Sequence, residues 1–163
     1  MCTMNTIRAL SLMAATLTMG LATGAFALYA HTIMPGLKKT DDRTFVTAFQ
    51  SLDRAIINPW FMLTAFLGAL VFTIAAVALN VGRDALPWVA IALGVYVVAV
   101  VITFAVNVPL NDAIKAAGDA APTATRADFH EARWAAFNVV RTVLSAGAFV
   151  SLMWALVVHG QST

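Results

Sequence analysis

The stretch "FHEARWAAFNVVRTVLSAGAFV" (Phe129–Val150) runs from a polar start into a long apolar tract. It carries His130, Glu131, Arg133, Trp134, Asn138 and Arg141, and no carboxylate follows Arg141 in the tract. The apolar run from Trp134 to about position 158 is long enough to cross a hydrocarbon core of about 30 Å. At helical spacing His130, Trp134, Asn138, Arg141 and Ser145 fall in one stripe, with Thr142 at its edge. The rest of the tract is mostly Ala, Val, Leu and Phe. In a membrane helix such a stripe faces the bundle interior. Arg141 lies about 10 Å beyond Trp134 along the helix. A charge at the bilayer centre costs about 2.5–3.5 kcal/mol on insertion scales. Arg141 therefore reads either as a structural cation bonded to amides and carbonyls, or as a cation kept for an anionic ligand.

The remainder of the chain has the same character. Of 163 residues, 61% are hydrophobic and only 11% charged, about half the charge of a soluble domain. Mean hydropathy is +0.83. Four apolar stretches qualify as membrane spans, at about 7–29, 59–80, 86–108 and 134–158. Backbone satisfaction in lipid permits helices or closed barrels, and barrel-type alternation is absent. The expectation is an all-α integral membrane four-helix bundle in a single domain, residues 1–163. The net charge of +2 gives no ground for a nucleic-acid partner. A single cysteine, Cys2, cannot form an intrachain disulfide or a cysteine-based metal centre. Ala25-Phe26-Ala27 resembles a signal-peptide cleavage motif, but the apolar run before it exceeds the usual 7–15 residues, so the first span is expected to be retained.

Between spans one and two, "RTFVTAFQSLDRAI" places Phe45, Phe49, Leu52 and Ile56 on one face and Thr47, Gln50, Asp53 and Arg54 on other sides. This predicts an amphipathic interfacial helix at about 43–56, capped by Asp41 or Asp42. Asn58 and Pro59 suit the start of span two, and Trp60 suits headgroup depth. Pro109 is expected to break or kink span three. "TRAD" (Thr125–Asp128) resembles a capping box, so span four is expected to begin near Arg126 as one long helix. Thr16, Gly20, Gly24 and Ala27 share a face of span one and predict a close packing seam. Lys38, Lys39, Arg43, Arg54, Lys115, Arg126 and Arg133 lie in the two long connections, against Arg8 and Arg83 on the other side. The positive-inside bias puts the long connections in the cytoplasm and both termini outside, in a bacterial inner membrane.

Polar residues gather at the long-connection end. His31 ends span one, Asn58 begins span two, Asn107 and Asn111 end span three, and Tyr96, Thr103 and Asn107 occupy a narrow arc of it. With Trp134, Asn138, Arg141 and Thr142 they predict one polar pocket. His31 and His130 read as ordinary interfacial residues, as a base, or as haem or metal ligands. No HExxH or repeated ExxH pattern supports a metal.

The ordered motifs "IMPGL", "NPWF", "VNVPLND" and "RW…N…RT", spread from about Gly20 to Thr142, resemble the anthrone oxygenase-like family of small four-span membrane proteins. Most bacterial members of that family form a domain of unknown function. The resemblance implies oxidation of a phenolic or polycyclic aromatic, or quinol-like, substrate with dioxygen. Fungal members convert polyketide anthrones to anthraquinones without metal or flavin, so no cofactor is expected. On that reading Arg141 stabilises anions, and Asn138 and Asn107 donate hydrogen bonds. His130 or His31 acts as base, and Trp134 and Tyr96 stack on the ring. Asn111, Asn58 and Thr142 complete the binding set. The competing reading is a non-enzymatic membrane protein or complex subunit holding a quinone, a haem or an anionic lipid. The expected partners are the bilayer and a small aromatic or anionic ligand, with room for a homo-oligomer.

Overall fold

A computed structural model describes residues 2–118 and 120–162, and the described residues contain helices and no strand. Four helices are long and apolar enough to cross a membrane: α1 (Thr3–Leu37), α3 (Pro59–Leu79), α4 (Leu86–Ala117) and α6 (Glu131–Gln161). Two shorter helices, α2 (Asp42–Ile56) and α5 (Pro122–Asp128), lie in the long connections. The spans close a ring in which α1 packs on α3 and α6, α4 packs on α6, and α3 packs on α4. This is an all-α integral membrane helical bundle.

The packing seam of α1 is Leu12, Ala15, Met19, Ala22 and Phe26. It is rotated from the small-residue face expected from sequence. Gly20 meets the Phe149 ring, where an added Cβ would stand 3.0 Å away, whereas Gly24 is exposed and faces open space. Large residues on the outer faces, such as Leu17, Val71, Val101 and Val143, are exposed in the isolated chain, as lipid-facing side chains are. At the short-loop end, Arg8 Nε donates to the Leu79 carbonyl at 2.8 Å, so a cation from α1 closes the C-terminus of α3.

Three spans contain a π-helical turn: Tyr29–Ile33 in α1, Met62–Phe66 in α3 and Thr103–Asn107 in α4. Two of them directly precede the Met34-Pro35 and Val108-Pro109 pairs. Proline lacks an N–H and its ring crowds the carbonyl four residues back. A π turn widens the helix ahead of it, with Met34 and Val108 donating five residues back to Tyr29 and Thr103. The helix therefore continues through Pro109 to Ala117, which corrects the expected break. In α3 the turn is permitted by Gly68, where a Cβ would run into the Leu63 carbonyl oxygen.

The start of span four also differs from expectation. "TRAD" closes α5 rather than capping α6, and the chain turns at His130, whose φ of 52° is left-handed, before α6 begins at Glu131. Arg126 ties this corner down. It donates to the Thr40 carbonyl at 3.0 Å, pairs with Asp42 at 3.2 Å and Glu131 at 3.0 Å, and lies over the Phe45 ring at 4.2 Å. Asp41 caps α2 as expected, accepting from the Thr44 amide at 3.0 Å and its hydroxyl at 2.6 Å. Those bonds hold the Asp41 carboxyl below its ordinary value.

The buried face of α2 is Phe45, Val46, Phe49, Gln50 and Asp53, which corrects the expected placement of Gln50 and Asp53 on outer faces. Phe45, Phe49, Phe129 and Trp134 form one aromatic cluster, so α2 lies across the end of the bundle. Gln50 fixes it there by donating to the carbonyls of Ile114 at 2.7 Å and Gly118 at 3.1 Å.

Candidate functional site

Beneath α2 lies a cavity of about 300 Å³, in the lower range of small-molecule sites. Its walls are mostly aromatic and aliphatic: Phe26, Tyr29, Phe49, Phe61, Phe66 and Trp134, with Ile56, Ile57, Met62, Phe104 and Val108. The polar residues on it include Asp53, Thr103, Asn111, Asn138 and Arg141. All three π turns contribute to the lining: Tyr29 from the first, Met62 and Phe66 from the second, Thr103 and Phe104 from the third.

Arg141 is 5% exposed and has no ion pair among the described residues. One terminal nitrogen donates to Thr103 Oγ1 at 3.1 Å, the other to Asn138 Oδ1 at 2.8 Å. The guanidinium lies 4.5 Å from the Phe26 ring centre and 5.7 Å from that of Trp134. Its Nε has no hydrogen-bond partner among the described residues. Asn138 is itself anchored, its amide nitrogen donating to the Phe26 carbonyl at 3.1 Å. The guanidinium is thus held by one hydroxyl, one amide oxygen and two rings, with one donor left over among the described residues.

A second polar group reaches the cavity from α2. Asp53 is 6% exposed, accepts from Asn111 Nδ2 at 2.6 Å through Oδ1, and pairs with Lys115 Nζ at 2.8 Å through Oδ2. Asn111 in turn accepts from Trp134 Nε1 at 2.6 Å. The chain Lys115–Asp53–Asn111–Trp134 thus runs along one wall and ends at the ring beside Arg141. Asp53 was not among the residues expected in the pocket, having been placed on another side of α2. Glu131 is taken by Arg126 and Asp112 by Lys115, and neither lines the cavity. The usable signal was spacing, because Asp53 stands one helical turn after Phe49 and two after Phe45.

The other expected site residues divide. Arg141, Asn138, Trp134 and Asn111 line the cavity together. Asn107 is buried nearby, donating to the Trp134 carbonyl at 3.3 Å, but does not line it. Tyr96 is fully buried and donates to the Phe66 carbonyl at 2.9 Å, which places it behind the wall rather than on it. Asn58 caps α3 by accepting from the Phe61 amide at 2.9 Å, and Thr142 donates to the Asn138 carbonyl at 2.8 Å. His31 and His130 are exposed and stand outside the cavity, His31 paired with Thr32 at 2.6 Å. Among the described residues, no three His, Cys, Asp or Glu side chains come together as a metal site.

Fold and site define an integral membrane bundle with an aromatic-walled cavity that holds a buried cation and a buried carboxylate. Residues 45–151 match the model of the anthrone oxygenase family, and the chain belongs to that family. No curated protein and no solved structure matches the chain.

Proposed function

We propose that the cavity is the active site of an oxygenase that converts the doubly benzylic methylene of an anthrone-like phenolic ring system to a ketone. The observation that carries this reading is the pairing, in one aromatic-walled cavity, of a buried guanidinium with no carboxylate partner among the described residues and a buried carboxylate. The methylene of an anthrone is acidic because its carbanion is an aryl oxide by resonance. Asp53 takes that proton, and Arg141 holds the oxide, an interaction strengthened in a low-dielectric site. One electron passes from the oxide to dioxygen, and superoxide and the carbon radical combine in a new C–O bond. Asp53 returns its proton to form the hydroperoxide. Loss of the remaining C–H proton with cleavage of O–O then yields the ketone and water. The carbon loses four electrons and dioxygen gains four, one oxygen going to the ketone and one to water.

In this scheme Asn138 and Thr103 orient the guanidinium, Asn111 orients Asp53, and Trp134 supplies the wall against which a ring stacks. The histidines have no part in it, since they lie outside the cavity. The test is anthrone oxidation by detergent-purified protein under oxygen, followed at the anthraquinone absorbance, with Asp53→Asn as the variant. Loss of a positioned base is expected to lower turnover by about 10²–10⁴-fold. Unchanged turnover in that variant would remove Asp53 from the mechanism. Anthraquinone binding without any turnover would assign the cavity to a quinone holder. A Soret band in the purified protein would replace the cofactor-free scheme with a haem one.

The excess of Lys and Arg in the long connections supports placing the cavity end at the cytoplasmic face of a bacterial inner membrane. In a Cys2→Ser background, Lys39→Cys is expected to resist an impermeant thiol reagent added outside intact cells. Labelling there would reverse the orientation.

A further inference from the structure

Of the described residues that line the cavity, only Ile57 and Phe104 are exposed, at 60% and 56%. A side chain that is both lining and exposed forms the rim, so the mouth of this cavity is apolar. Ile57 sits in the short joint between α2 and α3, and Phe104 in the π turn of α4. Phe61, Met62, Ile56 and Val108 continue the apolar surface inward as half-buried residues. Both charged groups among the described lining residues, Asp53 and Arg141, are buried rather than on the rim. Trp60, 78% exposed and three residues from Ile57, marks this level as the headgroup boundary. An apolar rim on an outer face of a membrane bundle opens into acyl chains rather than water.

The geometry points to a lateral portal between Ile57 and Phe104, through which a flat, uncharged aromatic ligand passes from the bilayer into the cavity. The ligand class is narrower than "aromatic". It must partition into lipid in its neutral form, carry one weakly acidic group, and ionise only after its ring has passed the apolar rim. A permanently charged aromatic is excluded at the rim, where nothing compensates its desolvation. This rests on the reading of the cavity as an aromatic-ligand site.

The test uses two quenchers of tryptophan fluorescence on protein reconstituted in phosphatidylcholine vesicles. Trp60, Trp88 and Trp154 are replaced by Phe, leaving Trp134 in the cavity wall as the reporter. One probe is an anthraquinone joined to the acyl chain of a phospholipid, which cannot leave the bilayer. The other is anthraquinone-2-sulfonate, which is water-soluble and charged. The tethered probe is expected to quench Trp134 and the sulfonate to leave it unchanged. A bulky maleimide on Ile57→Cys or Phe104→Cys, in a Cys2→Ser background, is expected to slow quenching at least tenfold. The same label on Leu63→Cys, which is exposed but off the rim, is expected to have no effect. Quenching by the sulfonate alone, or quenching indifferent to the rim labels, would overturn the portal while leaving the ligand site standing. Failure of both these probes and of free 9,10-anthraquinone would overturn the ligand site itself.

Discussion

Replacing Arg141 by methionine separates the two explanations of a buried cation. The side chain makes two hydrogen bonds, at 3.1 Å to Thr103 and 2.8 Å to Asn138, each worth about 1.5–3 kcal/mol for a charged donor. Its ring contacts with Phe26 and Trp134 add about 0.5–2 kcal/mol. Against these stands the cost of keeping the charge in the membrane, about 2.5–3.5 kcal/mol. Methionine fills a similar irregular volume and removes that cost. Asn138 keeps its bond to the Phe26 carbonyl, so the helix contact survives. The opposing contributions leave a net destabilisation of about 0–5.5 kcal/mol, read from denaturant unfolding of the reconstituted protein. Loss of this cation from the cavity is expected to lower anthrone turnover per folded molecule by about 10²–10³-fold. Arg141→Lys keeps the charge but not the fork that spans Thr103 and Asn138, so its turnover should fall between the two. Destabilisation above about 6 kcal/mol with undiminished turnover per folded molecule would make Arg141 a brace and refute its assignment to an anion.

Three further predictions concern the frame around the cavity. Gly68→Ala drives a Cβ toward the Leu63 carbonyl oxygen and is expected to cost about 1–3 kcal/mol by strain in the π turn. Amide exchange should increase at residues 62–67 ahead of the remainder of α3, whereas uniform protection would show that the turn does not need glycine. Arg126→Ala removes two ion pairs and a ring contact that join α5 to α2 and α6. A loss of about 1–3 kcal/mol is expected, discounted for partial exposure and smaller at high salt, and a salt-independent loss would point to packing alone. The Asp41 cap is lowered in the fold, so its contribution is present above the ordinary value of 3.8 and lost as pH falls through the lower, folded value. The Thr44 amide proton shift is expected to titrate with a midpoint below 3.8, and a midpoint at or above it would show the cap unformed.

Hydropathy and helical spacing made the bundle legible, because spanning helices must be long and apolar whatever they pack against. The same spacing found Trp134, Asn138 and Arg141, which share a stripe on one helix. Asp53 was illegible for a physical reason. A polar residue on an amphipathic helix reads as solvent-facing unless the partner of that helix is known, and here the partner is the end of the bundle. The histidines stand at the expected end of the spans, but level along a helix fixes height and not facing, and both are exposed outside the cavity, as ordinary interfacial residues would be. Pro109 does not break its helix because the π turn that precedes it carries the helix past the proline.

That last correction bears on why the cavity exists. A regular four-helix bundle with side chains as large as Phe26, Phe66 and Trp134 closes on itself, since interiors pack to crystal-like density. A π turn inserts one residue and shifts the facing of everything beyond it, so the stripe before the turn and the stripe after it cannot both fit one seam. Here three of the four spans carry such a turn, and residues from every one of them line the same space. The fourth span, α6, has no π turn and supplies Trp134, Asn138 and Arg141 as an unbroken stripe. The cation and its amide partner thus stand on the regular helix, while the irregular helices open the volume in front of them. Straightening one turn should shrink the cavity without moving the guanidinium. In a variant in which Pro109→Ala restores an α-helical turn at residues 103–107, anthrone affinity should therefore fall while the Arg141 bonds to Asn138 and Thr103 persist.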